Sequence, residues 1–135
     1  MSASNTTEND LLKLMLQGTD PAWRAGANQY LALFTADPGE AGTAITSEAA
    51  YTGYARKIIV KATDWTDGGS TFTNAVLLQL PQCTGGTETL THGALVTTAS
   101  GAGQIIVSGA LGASLNVANL IQPQFAIGAV SVTVD

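Results

Sequence analysis

Turn sequences divide the chain after Gly18 into short runs of β-type residues, and no helical segment separates one run from the next. The turns are Asp37-Pro38-Gly39, Asp67-Gly68-Gly69, Thr84-Gly85-Gly86 and Ser100-Gly101-Ala102-Gly103, all rich in residues that favour chain reversal. Short strands joined by turns, without alternation of strand and helix, are typical of antiparallel sandwiches and barrels. The sequence therefore predicts an all-β fold, an antiparallel β-sandwich of jelly-roll-like form.

Six strands are predicted, at residues 29–35, 54–62, 71–80, 89–98, 104–109 and 129–134. In the last of these, Val130, Val132 and Val134 alternate with polar residues, which is the pattern of a half-buried strand. Pro123 disfavours a central strand in the apolar segment around it, because proline cannot donate a hydrogen bond to a sheet.

One short helix is predicted before the sandwich, at residues 7–17. Thr7 can cap its N-terminus, Glu8 places negative charge in its first turn, and Gly18 provides its stop. The small polar residues before Thr7 are expected to be loose.

The length of 135 residues fits a single domain. Within it, we expect residues 1–18 to form an N-terminal arm and helix, and residues 19–135 to form the β-sandwich.

The predicted helix carries an apolar stripe formed by Leu11, Leu12, Met15 and Leu16, and these four are the candidate interface residues. A helix this short is marginal alone, so it must dock on something. It can bind a neighbouring protein, as a helix in a groove, or it can cap an open end of its own sandwich. The sequence leaves both interpretations open.

Charged residues make up only 11% of the chain, against about 25% in an average protein, whereas 45% of the residues are apolar. A surface so poor in charge indicates that part of it is covered by a partner or by copies of itself. We therefore predict self-association, as a dimer or a trimer.

Nucleic acid is excluded as a partner, because the chain has five basic residues and a formal net charge of −5. Arg56, Lys57 and Lys61 are the one local concentration of positive charge, and we interpret them as a solvated strand face. No segment is long and apolar enough to predict a membrane helix or a signal peptide, so no membrane partner is expected.

No catalytic, cofactor-binding or metal-binding residue is predicted. The single cysteine, Cys83, and the single histidine, His92, lack the further residues of a triad or a zinc site. Asp64 and Asp67 lack the alternating ligands of a calcium loop and are expected to serve a strand end and a turn. The sequence therefore predicts a protein that is not an enzyme and has no cofactor.

Several motifs follow one another along the chain. They are the run from Leu31 to Gly42, Tyr51-Thr52-Gly53-Tyr54-Ala55-Arg56, Leu80-Pro81-Gln82-Cys83-Thr84-Gly85-Gly86, Leu90-Thr91-His92-Gly93 and Gln122-Pro123-Gln124-Phe125. Together they resemble the motifs of small structural proteins from tailed-bacteriophage virions. The similarity runs from about residue 9 to the last residue. Members of this group include capsid cement or decoration proteins and are often labelled tail-fibre proteins.

The resemblance implies a structural role in the virion, and of its two placements we predict a cement protein that binds the major capsid protein on the outside of the head shell and stabilises it. Its place is then the outer capsid surface of the virion, and the host cytoplasm during assembly. The acidic charge suits an outer location, and the chain lacks the repeats of a fibre shaft. The alternative is a tail-fibre or host-surface-binding component, and a small carbohydrate-active jelly-roll enzyme comes third.

Overall fold

The computed structural model describes residues 1–133, and 41% of the residues lie in strands. The elements are β1 (Ser2–Ala3), α1 (Asn5–Gln17), β2 (Asn28–Phe34), β3 (Lys57–Val60), β4 (Trp65–Asp67), β5 (Thr71–Asn74), β6 (Leu78–Gln79), β7 (Glu88–Val96), β8 (Ile105–Val117), β9 (Gln124–Phe125) and β10 (Ser131–Thr133). This strand content is well above the 20–25% or so of an average protein. The predicted all-β antiparallel sandwich with a short N-terminal helix is confirmed.

The strands form three antiparallel sheets. The largest has the order β1-β8-β7-β2-β3, a second has the order β10-β5-β4, and β6 pairs with β9. The described strands are thus distributed as five, three and two, whereas a regular jelly roll has eight strands in two Greek keys.

The centre of the five-stranded sheet is buried on both faces, while parts of β3 and β8 are exposed. Alternate residues of β2 point to opposite sides, so Leu31 and Leu33 join the main core, while Ala32 and Phe34 join a second one. Leu78 of β6 lies in the main core, which therefore fills the space between the layers. Each Å² of apolar surface that is buried stabilises the fold by about 25 cal/mol, so these two cores are the main source of its stability.

The predicted turns are confirmed by their backbone geometry. Gly39, Gly69, Gly86 and Gly101 all have positive φ angles, which residues with a side chain rarely adopt. In the β4–β5 hairpin, a carboxylate oxygen of Asp67 also accepts a hydrogen bond of 2.7 Å from the N–H of Gly69. These glycines therefore lie in turns, where the sequence predicted them.

Several predicted strand boundaries are wrong. The strand predicted at residues 71–80 is interrupted between β5 and β6, because residues 75–77 leave the three-stranded sheet. The strand predicted at residues 104–109 continues to Val117, where it pairs with Glu88 of β7. The last predicted strand shrinks to β10, where Val132 pairs with Phe72 of β5, and Val134 lies outside the described residues.

The N-terminal arm is a paired strand, and the expectation that it is loose is wrong. Ser2 and Ala3 lie opposite Ser108 and Val107 of β8, so the arm adds an edge strand to the large sheet. The arm is ordered because its backbone hydrogen bonds are satisfied by an open sheet edge.

The cap of α1 is also corrected. Ser4, and not Thr7, occupies the N-cap position, and its hydroxyl oxygen accepts a 3.3 Å hydrogen bond from the Thr7 N–H. At the other end, Gly18 stops the helix in the left-handed conformation, as predicted. Helix α1 thus begins two residues earlier than the sequence indicated.

Candidate interaction surface

Polar side chains fasten the first half of α1 to the sandwich. The hydroxyls of Ser4 and Thr7 both donate to the Ile105 carbonyl oxygen of β8, at 2.5 and 3.2 Å. Asp10 accepts hydrogen bonds from the Gln104 amide at 3.1 Å and from the Trp23 indole N–H at 2.9 Å. The helix is therefore held on one side through polar groups.

The apolar stripe predicted as an interface is largely exposed. Leu12, Met15 and Leu16 expose 51%, 70% and 79% of their surface, while Leu11 is half-buried. Buried leucines and methionines are the norm in folded chains, so three exposed ones on consecutive turns are informative. We call Leu12, Met15 and Leu16 the outer face of α1.

Two grooves adjoin the helix. The larger, of about 580 Å³, lies between α1 and the three-stranded sheet, and Trp23, Trp65 and Phe72 line it. The smaller, of about 340 Å³, lies beside Leu12 and Met15. The sequence did not point to the aromatic residues of the larger groove, although Trp23 and Trp65 are the two tryptophans of the chain.

Arg56 is buried, so the interpretation of Arg56, Lys57 and Lys61 as a solvated strand face is wrong for it. Its guanidinium forms two hydrogen bonds with the Glu48 carboxylate, at 2.6 and 2.8 Å. It also donates to the carbonyl oxygens of Thr98 and Gly101, both at 2.8 Å. Because β3 begins only at Lys57, Arg56 lies in the loop before it and points into the protein.

The bidentate bond to Glu48 raises the pKa of Arg56, because the carboxylate favours the charged guanidinium. Tyr54 donates a 3.0 Å hydrogen bond to the same carboxylate, and burial is the main cause of its raised pKa. Burial also raises the pKa of Tyr51 to about 12, with smaller contributions from Cys83 and Glu88. Of the three groups with raised pKa values, Tyr54 and Arg56 thus meet at the Glu48 carboxylate.

The residues considered for chemistry have structural partners. Asp64 accepts a 2.8 Å hydrogen bond from the N–H of Val60, at the end of β3. Cys83 is buried, and its thiol is 3.2 Å from the Gly85 carbonyl oxygen. His92 lies in β7 opposite Ala110, with its Nδ1 atom 2.9 Å from the hydroxyl of Thr91.

Within residues 1–133, no group of three or more His, Cys, Asp or Glu side chains is placed to hold a metal ion. In the same part of the chain, no helix is long and apolar enough to cross a membrane. Among the features described so far, the outer face of α1 and the grooves beside it are the candidate interaction surface.

Comparison with known families places this chain among phage proteins. Residues 2–133, nearly the whole chain, match the family described as "Podophage GP4 fiber I protein gp80". The chain belongs to this family. A comparison with curated proteins gives no match. As a member of the podophage fiber I family, the chain is a structural protein of the phage virion.

Membership of the podophage fiber I family confirms the broader part of the resemblance seen in the sequence, a small virion structural protein. The motifs that carry the resemblance have structural roles in this family member. Tyr51, Tyr54 and Arg56 bind Pro81, Glu48 and the loop after β7, while Cys83 lies in the main core. The motif residues therefore describe how the sandwich is held together.

Proposed function

We propose that the chain is a non-enzymatic structural component of the fibre apparatus of a podophage, fastened to another virion protein through the outer face of α1. The observation that carries the proposal is the exposure of Leu12, Met15 and Leu16 on a helix whose other side is bonded to the sandwich. A fixed helix with an unpartnered apolar face fits a groove on a partner protein.

The polar anchoring of α1 supports attachment over simple capping of the sandwich. A helix that served only to cap a core would turn its leucines inward, whereas the one buried residue of α1 is Thr7. The three apolar side chains of the outer face instead meet water. Full burial of a side chain of this kind contributes about 1.5–3 kcal/mol, so covering the outer face of α1 favours association with a partner.

Placement in the fibre apparatus rests on the family to which the chain belongs, which is described as a fiber protein. A compact sandwich of this kind serves there as a module joined to others by its faces. The second candidate is a capsid cement protein that binds the major capsid protein on the outer head surface. The low charged fraction, 11%, and the net charge of −5 favour it, since both suit a module that covers a shell from outside.

The absence of an enzymatic role is part of the proposal. The carboxylates of Asp64 and Asp67 accept hydrogen bonds from backbone N–H groups of the turns in which they lie, and the Cys83 thiol is buried. These groups therefore support local structure. A defined hydrolytic activity that is lost when His92, Asp64 and Asp67 are replaced together would contradict this part.

Separation of heads from tails tests the two placements. Virions of the encoding phage are disrupted, heads and tails are separated, and the chain is quantified by mass spectrometry in each fraction. The fibre placement predicts the chain in the tail fraction, with few copies for each major capsid protein. Near-stoichiometric recovery with heads would contradict it and support the cement candidate.

Replacement of the outer face tests attachment. A Leu12→Ser, Met15→Ser, Leu16→Ser chain is expected to keep its melting temperature within a few degrees but to be lost from virions in a complementation assay. The control is Ile45→Ser, which changes an exposed isoleucine outside α1. Incorporation of the triple variant at the level of the control would contradict the proposal.

A further inference from the structure

Two segments far apart in sequence form an irregular antiparallel ribbon on the side of the sandwich opposite the large sheet. Strands β6 and β9 pair through Leu78 with Phe125 and through Gln79 with Gln124. Backbone hydrogen bonds between Cys83 and the loop after β8 extend this pairing. The Cys83 N–H donates to the Ile121 carbonyl oxygen, and the Leu120 N–H donates to the Cys83 carbonyl oxygen, both at 2.8 Å. We call residues 76–84 and 118–127 the ribbon.

The inner side of the ribbon belongs to the core, and its outer side exposes large apolar residues. Leu78, Leu80 and Cys83 are fully buried in the main core. By contrast, Leu77, Leu120, Ile121 and Ile127 expose 48%, 69%, 41% and 68% of their surface. These are four of the eleven large hydrophobic residues that the described part of the chain exposes. The ribbon therefore presents apolar surface that its own fold does not cover.

The ribbon also carries no charged residue. Between Asp67 and the end of the described chain, Glu88 is the sole Asp, Glu, Lys or Arg. Its carboxylate accepts hydrogen bonds from the N–H groups of Ala50 and Tyr51, at 2.9 and 2.8 Å. Depletion of charge, rather than apolar content alone, distinguishes the centres of protein interfaces from ordinary surface.

Amide side chains occupy the middle of the outer side. The Gln79 amide donates to the side-chain oxygens of Gln122 and Gln124, at 3.3 and 3.2 Å. An amide both donates and accepts hydrogen bonds, so a surface of amides and apolar groups is complementary to a copy of itself. Charged surfaces, in contrast, repel their own copies.

The backbone of Leu120 provides a second, independent observation on the ribbon. Its φ angle is 71°, a left-handed conformation that is rare for a residue with a side chain. Strain of this kind is found where the surrounding structure imposes it, and it clusters at functional positions. Here the Leu120 carbonyl accepts a 2.8 Å hydrogen bond from the Gln82 amide, which holds the strained residue at the surface.

We propose that the outer side of the ribbon binds the same surface of a second copy of this chain, in a two-fold dimer. Each copy carries a net charge of −5, and its charged residues lie almost entirely before residue 68. A ribbon-to-ribbon contact thus brings together two surfaces that carry no charge. An isologous contact of this kind closes on itself and leaves the outer face of α1 free for another protein.

Sedimentation equilibrium of the full chain tests the proposal. The parent chain is expected to be a dimer, and Leu77→Ser with Ile127→Ser is expected to raise its dissociation constant about tenfold or more, the usual loss for contacts at the centre of an interface. Ile45→Ser, at an exposed isoleucine outside the ribbon, is expected to leave the constant unchanged. A parent chain that is monomeric would overturn the proposal. So would a Leu77→Ser, Ile127→Ser chain whose dissociation constant changes no more than that of the Ile45→Ser chain.

Leu120→Gly provides a second variant that keeps the fold. Glycine relieves the left-handed strain, so the melting temperature of the dissociated chain is expected to be maintained or raised. Loss of the leucine side chain is nevertheless expected to weaken the dimer severalfold. A Leu120→Gly chain that dimerises as tightly as the parent would contradict the role of the ribbon.

Discussion

Arg56 connects two loops of the protein through one side chain. It binds the Glu48 carboxylate and the Ala44 carbonyl oxygen in the loop after β2, and the carbonyl oxygens of Thr98 and Gly101 in the loop after β7. Its side chain is 1% exposed and that of Glu48 is 15% exposed, so the pair is shielded from solvent. Such a pair must be fully hydrogen-bonded to offset the cost of removing it from water, and these contacts provide that.

Arg56→Ala is therefore expected to lower the free energy of unfolding by about 3–5 kcal/mol, because it leaves the Glu48 carboxylate buried without its partner. Urea unfolding followed by fluorescence measures the change. The control is Arg24→Ala, which breaks an exposed pair with Asp20 and should cost no more than about 1 kcal/mol. Equal losses in the two variants would show that Arg56 is not the anchor described here.

Because Tyr51 is buried, we expect the free energy of unfolding to fall at alkaline pH. Burial raises the pKa of Tyr51 to about 12, whereas tyrosine in an unfolded chain titrates near 10. Above pH 10 the unfolded chain releases a proton that the folded chain retains, so the free energy of unfolding falls between about pH 10 and 12. Tyr51→Phe should reduce this slope, measured as unfolding free energy at pH 9 and pH 11. An unchanged slope would contradict the assignment.

At the scale of elements, α1 depends on its first residues. The Ser4 hydroxyl caps the helix at Thr7 and joins it to β8 through the Ile105 carbonyl oxygen. The apolar stripe contributes little to docking, since Leu12, Met15 and Leu16 are exposed. The N-terminal cap is thus also a point of attachment between the helix and the sandwich.

Ser4→Ala is expected to lower the free energy of unfolding by about 0.5–2 kcal/mol, because it removes the cap of the helix. The loss should lie toward the upper end of this range, because the hydrogen bond to the Ile105 carbonyl oxygen is lost as well. Denaturant unfolding provides the value. Ser2→Ala is a matched control, since the exposed Ser2 hydroxyl contacts only the carbonyl of its neighbour. If both variants unfold at the same denaturant concentration, the cap does not have the role assigned to it.

The elements that the sequence predicted well are those set by local chemistry. Glycine turns and alternating strands depend on neighbouring residues, and Gly18, Gly69 and the β4–β5 turn lie where their residues indicated. The elements that it missed depend on distant partners. Strand β1 forms because β8 offers an open edge, and β9 forms because β6 lies beside it, despite the preceding Pro123.

At the scale of the whole molecule, the candidate surface was predicted in part. Leu12, Met15 and Leu16 were identified from helical spacing and are exposed, while the half-buried Leu11 lines the larger groove. Burial of Arg56 was missed, because the sequence does not reveal that Glu48 lies opposite it. The ribbon was missed as well, because its two halves are separated by β7 and β8 and meet only in the fold.

The uneven distribution of charge is a property of the whole chain. Acidic and basic residues lie mostly before residue 68, and the ribbon carries none of them. We infer that the uncharged ribbon is covered by a second copy and the outer face of α1 by another virion protein. The two contacts use different residues, so a virion can contain both at once.

Cryo-electron microscopy of intact virions tests the central claim most directly. It should reveal the sandwich in the particle, with Leu12, Met15 and Leu16 of α1 packed against another virion protein. Absence of the chain from purified virions, or an α1 whose outer face meets solvent in every copy, would contradict the account.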